Sequence, residues 1–294
     1  MNAMRNKLGV YYAFLAVSDD VDWLDCLART KAAGLDILEM SVPKVRALPP
    51  ALRDSIAERA AQLSLSLTFA TALTPETDVS SDDPALRAAG VRQMKDDLAM
   101  IASMGGLSMG GILTGVGKNF PQGIEHRRGQ AVDNAVSALR EVAQTAETRK
   151  VNLGAEVVNR FESPLVNTCA EGLRVAEAVG SPRLGVHLDT FHMNIEEADP
   201  AKAIRLAGKK LIHFHACEND RSLPGHGHID WKSAFAALRG IGYDGPVVME
   251  SLPGPYGSVA GRLNIWRRLA GDVDRELAEA ARFLRERMEE AGHA

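Results

Sequence analysis

The sequence predicts an α/β protein built as a closed (β/α)8 TIM barrel. Eight short apolar runs alternate with longer amphipathic segments along the chain. Strands separated by helices form parallel sheets, because a parallel connection needs a crossover of about a dozen residues or more. Eight such units match a closed barrel. An open, doubly wound sheet is the alternative, but it usually has a glycine-rich turn after its first strand, and YYAFLAVSDD here contains no glycine.

The first half of the chain contains four of the predicted strands, at residues 8–12, 36–40, 65–70 and 107–113. Predicted helices lie between them at residues 21–33, 50–63 and 84–104. Gly34 and the Gly105-Gly106 pair stop two of these helices, and prolines open the second, in keeping with the preferences of helix ends. The fourth strand is rich in glycine and weakly patterned, and composition predicts a loop at residues 114–123.

The second half repeats the alternation. One strand ends at Glu156, and three more are predicted at residues 184–188, 211–215 and 246–250. Predicted helices occupy residues 128–149, 167–179, 200–207, 231–238 and 272–291. Ser81, Asp82 or Asp83 is expected to cap the helix at 84–104, and Asp230 the helix at 231–238.

Length and composition limit the function classes. Because α/β barrels use ~250 residues as one domain, we expect residues 1–294 to form a single domain. The net charge of −4 provides no basic surface for nucleic acid. There is no signal-peptide pattern and no membrane-spanning apolar run. Three scattered cysteines without a CxxC pair indicate a reducing compartment, so we expect a cytoplasmic protein.

Four metal-ligating side chains end four consecutive strands. They are Glu156, Asp189, His215 and Glu250. The carboxyl ends of barrel strands share one face, which carries the active site in these folds. Three carboxylates and one imidazole favour Mn²⁺, Mg²⁺ or Co²⁺ over a thiolate-rich zinc site. The alternative is that each is a polar cap at a strand end, but four in register favour a metal site.

Three further polar residues lie in the loops after these strands: Glu162, His192 and Arg221. Binding groups of a barrel belong in such loops. Glu162 can accept hydrogen bonds, His192 can donate or accept them, and Arg221 is a permanent cationic donor. Together they suit a polyhydroxylated substrate. Solvated loop charges are the alternative interpretation of each residue taken singly.

Strand periodicity separates the interior histidines from the ligand. His213 and His215 point to the same face of their strand, but only His215 lies at the mouth. We therefore expect His213 to be a packed or hydrogen-bonded interior residue and His187 to lie a layer below Asp189. Glu39, at the end of the second strand, is a weaker candidate for a direct role at the mouth.

Four motifs carry a specific family resemblance: EVVNRFE, HLDTFHMNIEE, HFHACENDRSLPGHGHIDW and IGYDGPVVME. With them the chain resembles the ketose 3-epimerases, which include the D-tagatose, D-allulose (D-psicose) and L-ribulose 3-epimerases, within the xylose-isomerase-like TIM barrels. The similarity runs from LGVYYAF to LNIWRRL and so covers nearly the whole chain.

The resemblance implies an activity and a role for each residue. It implies metal-dependent C3 epimerisation of free ketoses through a cis-enediolate, in a homodimer or homotetramer. One divalent ion, Mn²⁺ first and Co²⁺ or Mg²⁺ otherwise, is bound by the four strand-end ligands. Glu156 and Glu250 are also implied as the two acid/base groups. Glu162, His192 and Arg221 are implied to bind the O1–O3 end of the monosaccharide, and Tyr11 keeps the aromatic position after the first strand.

The chain departs from the family pattern where the far end of the sugar is held. D-tagatose-type members carry Trp-Pro-Gln after the fourth strand, and the nearest match here is Phe120-Pro121-Gln122. They carry Cys and Gly where this chain places Ala70 and Ala72. These differences concern substrate preference and not the chemistry.

Three other functions remain open at this point. An aldose–ketose or hydroxypyruvate-type isomerase on the same barrel needs the same metal but moves the proton between C1 and C2. An endonuclease-type phosphodiesterase requires a basic groove and more histidines than the eight in this chain, whose net charge is negative. A sugar-binding protein without activity does not require paired carboxylates at a metal.

Overall fold

The computed structural model describes residues 4–293 and confirms the predicted barrel. Eight parallel strands close in sequence order, with the last strand beside the first. The strands are β1 (Leu8–Tyr11), β2 (Ile37–Ser41), β3 (Ser66–Leu73), β4 (Ser108–Val116), β5 (Asn152–Glu156), β6 (Leu184–Asp189), β7 (Leu211–His215) and β8 (Val247–Met249).

Helices connect the strands and cover the outside of the barrel. They are α1 (Trp23–Ala32), α2 (Val42–Arg46), α3 (Pro50–Gln62), α4 (Pro84–Ser103), α5 (Ile124–Arg149), α6 (Cys169–Val179), α7 (Thr190–Glu196), α8 (Pro200–Ala207), α9 (Trp231–Gly240), α10 (Gly257–Arg262) and α11 (Val273–His293). Within residues 4–293, none of these helices combines the length and the apolar character that crossing a membrane requires.

Two of the proposed capping residues take that role. Asp83 accepts a hydrogen bond from the backbone N–H of Ala85 at 2.8 Å, and Asp230 accepts one from Ser233 at 3.0 Å. Each carboxylate thereby satisfies a backbone donor that the first turn of its helix leaves free.

The predicted loop at residues 114–123 was partly wrong. β4 continues to Val116, which pairs with Leu73 after a register shift in the β3–β4 ladder. Pairing with the neighbouring strand outweighs the loop-like composition. α5 also begins at Ile124 instead of residue 128, because its first turn is largely exposed and therefore carries no apolar period.

The glycines of β4 and β5 make room for imidazole rings inside the barrel. A Cβ atom at Gly110 would lie 3.0 Å from His187 Nδ1. A Cβ atom at Gly154 would lie 3.1 Å from His187 Cβ and 3.5 Å from His213 Cβ. Interiors are close-packed, so added atoms require neighbours to shift. The weak apolar pattern of the fourth strand therefore reflects the space that β6 and β7 need.

Candidate active site

The four strand-end side chains converge at one mouth of the barrel. Glu156 ends β5, Asp189 ends β6, His215 ends β7 and Glu250 directly follows β8. One ligand atom from each lies within 4.8 Å of the others. The parallel register explains this convergence, since Asp189 lies opposite His215 and Glu156 lies opposite His187.

The imidazole of His215 faces the carboxylates with one nitrogen. Its Nδ1 atom lies 3.2 Å from Glu250 Oε2 and 3.9 Å from both Glu156 Oε1 and Asp189 Oδ2. His215 Nδ1 and Glu156 Oε1 are both buried and have no hydrogen-bond partner in the described part of the chain. Buried polar atoms are rarely left unpaired. Three carboxylates and an imidazole nitrogen with such free atoms fit a divalent cation.

The two glutamates at this site differ in their affinity for protons. Burial and the nearby charge of Glu250 raise the pKa of Glu156 well above its usual value. Burial also opposes ionisation of Glu250, but Arg221 and His215 outweigh it and lower the Glu250 pKa to about 2. Of the two carboxylates, Glu156 therefore holds a proton more strongly than Glu250.

Arg221 joins the ligand carboxylates directly. Its Nη1 atom donates to Asp189 Oδ2 at 2.5 Å and to Glu250 Oε2 at 2.6 Å. The guanidinium also stacks on the ring of Phe191, 4.2 Å from its centroid. The backbone of Arg221 has a φ of 68°, a strained conformation for a residue with a side chain. Arg221 therefore neutralises part of the negative charge of Asp189 and Glu250, and it also lines the cavity.

His192 is held in a defined orientation. Its Nδ1 atom accepts from the backbone N–H of Asn159 at 3.2 Å, and the Asn159 side-chain nitrogen lies 2.8 Å from the same atom. Burial lowers the His192 pKa to about 3, so the ring is neutral. Nε2 lies 3.2 Å from Arg221 Nη2 and 3.6 Å from Glu156 Oε1. Asn159 was not among the residues predicted for the site, although it lies inside the EVVNRFE motif.

The loop that carries Arg221 is fixed by a carboxylate that was not among the predicted site residues either. Glu218 is fully buried and accepts hydrogen bonds from the backbone N–H groups of Gly225 and Ile229, at 2.7 and 3.1 Å. It also accepts from Trp231 Nε1 at 2.7 Å. In the sequence, Glu218 lies three residues before Arg221 and inside the HFHACENDRSLPGHGHIDW motif, and these were the available signals.

A cavity of about 710 Å³ opens onto this cluster. This volume lies in the usual range for small-molecule sites. Its wall includes all four residues predicted to bind substrate and both predicted acid/base residues: Tyr11, Glu162, His192, Arg221, Glu156 and Glu250. Ala70 and Ala72 also line it, whereas Phe120 does not and is 50% exposed. The Phe120-Pro121-Gln122 segment therefore does not line the cavity, whereas the preceding residues Val116 and Lys118 do.

The interior histidines lie beneath the cavity, as expected. The rings of His187 and His213 are 4.6 Å apart, and neither residue lines the cavity. Glu39 is also buried below the mouth, where its Oε1 atom lies 2.6 Å from His215 Nε2. Glu39 therefore contacts a proposed ligand and does not reach the cavity itself.

Comparisons with known proteins place this architecture in a family. Residues 27–287 match the family model described as the xylose isomerase-like TIM barrel. The chain is 37% identical to the L-ribulose 3-epimerase of Mesorhizobium japonicum, over 94% of this chain and 92% of that protein. It is 33% identical to the D-psicose 3-epimerase of Enterocloster bolteae, over 95% of each chain.

A solved structure agrees with these relatives. The D-psicose 3-epimerase from Clostridium cellulolyticum H10, crystallised with D-tagatose, superposes with a TM-score of 0.92 at 32% identity, covering 96% of this chain and 99% of that chain. The chain therefore belongs to the ketose 3-epimerases, a family of isomerases built on the xylose isomerase-like TIM barrel.

Proposed function

We propose that this protein inverts C3 of free ketoses with the help of one divalent cation. Two buried glutamates with opposite affinities for protons, beside four converging metal donors, carry this proposal. Relatives that act on L-ribulose and D-psicose support a ketopentose or ketohexose as the substrate. D-Tagatose, the D-fructose/D-allulose pair and L-ribulose are the substrates to test first.

Four residues would hold the cation: Glu156, Asp189, His215 and Glu250. Mn²⁺ is our first choice, with Co²⁺ and Mg²⁺ as alternatives, because these ions accept carboxylate and imidazole ligands. When bound, such a cation supplies Lewis-acid stabilisation of the negative charge that develops on the ketose oxygens.

The two glutamates would move the protons. C3 lies beside the C2 carbonyl, so removing its proton gives a cis-enediolate. One of the two glutamates, Glu156 or Glu250, is ionised and takes the proton from one face of C3, while the other is protonated and delivers its own proton to the opposite face; the roles exchange with the direction of the reaction. One proton leaves the substrate and one enters, and the pair ends in the reversed state, ready for the reverse reaction. General acid–base catalysis contributes ~10²–10⁴-fold.

The remaining cavity residues would orient the sugar. Glu162, His192 and Arg221 offer a carboxylate, a neutral imidazole and a cation on one wall. In this proposal they bind the O1–O3 end so that C3 lies between the glutamates. Tyr11 contributes an aromatic surface from the end of β1. Fixing the reacting carbon is a positioning effect, which lowers the entropy cost of the proton transfers.

A panel of ketopentoses and ketohexoses tests the activity. Metal-stripped and Mn²⁺-loaded protein is incubated with each sugar, and the products are separated by chromatography. We expect the C3 epimer of at least one ketose, and only with metal. Formation of an aldose instead would favour the aldose–ketose isomerase, and binding without turnover would favour a sugar-binding protein.

Assembly and location complete the proposal. We propose a homodimer or homotetramer, which light scattering after size-exclusion chromatography tests; a monomer at micromolar concentration would contradict it. The three cysteines are free and buried, which supports the proposed cytoplasmic location.

A further inference from the structure

A buried carboxylate contacts the far side of the proposed histidine ligand. Glu39, in β2, is 1% exposed and lies inside the barrel. Its Oε1 atom forms a 2.6 Å hydrogen bond with His215 Nε2. Its Oε2 atom accepts a 2.9 Å hydrogen bond from Thr68 Oγ1. His213 Nε2 is 3.0 Å from the same Oε2, but not in hydrogen-bonding geometry.

This contact determines which nitrogen of His215 carries the hydrogen. A carboxylate accepts hydrogen bonds, so His215 Nε2 carries a hydrogen, and in the neutral form of the ring that binds a cation it carries the only one. The lone pair then belongs to Nδ1, the atom that faces the three mouth carboxylates at 3.2–3.9 Å. The opposite tautomer would place a hydrogen where a cation has to bind.

We propose that Glu39 is a positioning residue that fixes the ring orientation and tautomer of His215 and thereby sets the affinity for the divalent cation. This inference rests on the proposed function, because it takes His215 as a metal ligand. Thr68 in turn orients Glu39, because its hydroxyl donates a hydrogen bond to the second carboxylate oxygen of Glu39. A carboxylate behind a metal-bound histidine also makes the imidazole a stronger donor.

A purely structural role for Glu39 explains the arrangement less well. His187 lies in the same barrel interior, with its ring centroid 4.1 Å from that of His215. Both nitrogens of His187 lack a hydrogen-bond partner in the described part of the chain. The interior thus accommodates an unpaired imidazole, and a buried carboxylate is costly unless it is paired. The hydrogen bond from Glu39 to His215 is therefore not required merely to pair a buried histidine.

Glu39→Gln tests the inference without changing the shape of the side chain. The amide accepts or donates hydrogen bonds, so it no longer selects one tautomer of His215. Mn²⁺ affinity of the metal-stripped protein is measured without substrate, by competition with a chromophoric chelator. We expect Glu39→Gln to bind Mn²⁺ about 10- to 100-fold more weakly than the unmodified protein, as for other residues behind a metal ligand.

Asp97→Asn is the matched control. Asp97 is also a buried carboxylate, 2% exposed, and it accepts two hydrogen bonds from Arg46 at 2.8 and 3.0 Å. It lies in α4, outside the cavity. Its loss lowers stability by removing a partly buried ion pair, but Mn²⁺ affinity is expected to stay unchanged.

Thr68→Val provides a second, milder variant that keeps Glu39. It removes the hydrogen bond to Oε2, and we expect about two- to tenfold weaker Mn²⁺ binding, the range for one hydrogen bond. The turnover number at saturating Mn²⁺ should fall less than the affinity does in both variants, because the acid/base pair is intact.

The possible results separate the two proposals. Weaker Mn²⁺ binding in Glu39→Gln and Thr68→Val, but not in Asp97→Asn, supports the inference. If the unmodified protein binds Mn²⁺ and both variants bind it equally well, Glu39 has only a structural role and the inference is overturned. If the unmodified protein binds no divalent cation, the proposed function itself fails.

Discussion

Replacing Glu156 with glutamine tests the acid/base pair with little disturbance of the site. Glutamine has the same shape, and Glu156 Oε1 has no hydrogen bond to lose within the described residues. Glu250→Gln is less clean, because Glu250 Oε2 accepts from Arg221 at 2.6 Å and lies 3.2 Å from His215 Nδ1. Glu156 is also a proposed cation ligand, so activity is compared at Mn²⁺ concentrations that saturate each variant; a loss of activity in Glu156→Gln with metal bound then reports on proton transfer.

The size of the effect follows from the role. Loss of a general acid or base costs about 10²–10⁴-fold in rate, which corresponds to about 2.7–5.4 kcal/mol of transition-state stabilisation. Epimerisation needs both glutamates, so each variant should lose at least this much. Exchange of a single proton needs only one, and Glu156→Gln should retain exchange at the face that Glu250 serves.

Two assays in D₂O separate these outcomes. Chromatography measures the C3 epimer, and proton NMR measures loss of the C3 signal from the starting ketose. We expect Glu156→Gln to exchange the C3 proton while forming almost no epimer. Full epimerase activity in Glu156→Gln, with metal still bound, would refute the two-base scheme. Asp97→Asn, whose carboxylate lies outside the cavity, is the activity control.

Three further changes test the site and the barrel. Arg221→Ala removes a buried cation from the cavity wall, and we expect KM to rise about 10- to 100-fold, the scale of a charged hydrogen bond; steady-state kinetics identical to the unmodified protein would remove Arg221 from the site. Gly154→Ala places a Cβ atom 3.1 Å from His187 Cβ and should lower the free energy of unfolding by about 1–3 kcal/mol in urea titrations. Gly129→Ala in α5 is its control, since a Cβ atom there contacts nothing and alanine favours a helix; a shared midpoint for both variants would contradict the packing argument. Asp230→Ala removes the cap of α9 and should cost about 1 kcal/mol in the same titration, and no change would show that the cap contributes nothing.

The barrel and the mouth cluster were predictable because both follow from local patterns. Strand ends are visible in sequence, and parallel strands place their carboxyl ends on one face. Glu156, Asp189, His215 and Glu250 could therefore be grouped before any distance was known. The end of β4 was not predictable in this way, because pairing with β3 past a register shift decides it.

Contacts that cross the barrel were beyond the reach of sequence patterns. Glu39 and His215 are 176 positions apart, and their hydrogen bond depends on how the strand interiors pack. The same holds for Arg221, whose contacts with Asp189 and Glu250 depend on a strained loop conformation. We expect substrate preference to depend on the cavity wall around Ala70 and Ala72, whose small apolar side chains do not indicate which sugar is bound.

The most direct test of the central claim is the position of solvent deuterium in the product. Protein stripped of metal and protein loaded with Mn²⁺ are each incubated with a ketose substrate in D₂O, and the product is analysed by NMR. We predict a C3-epimerised ketose with deuterium at C3, formed only by the metal-loaded protein. Deuterium at C1 or C2 of an aldose, or equal turnover without metal, would contradict metal-dependent proton exchange at C3.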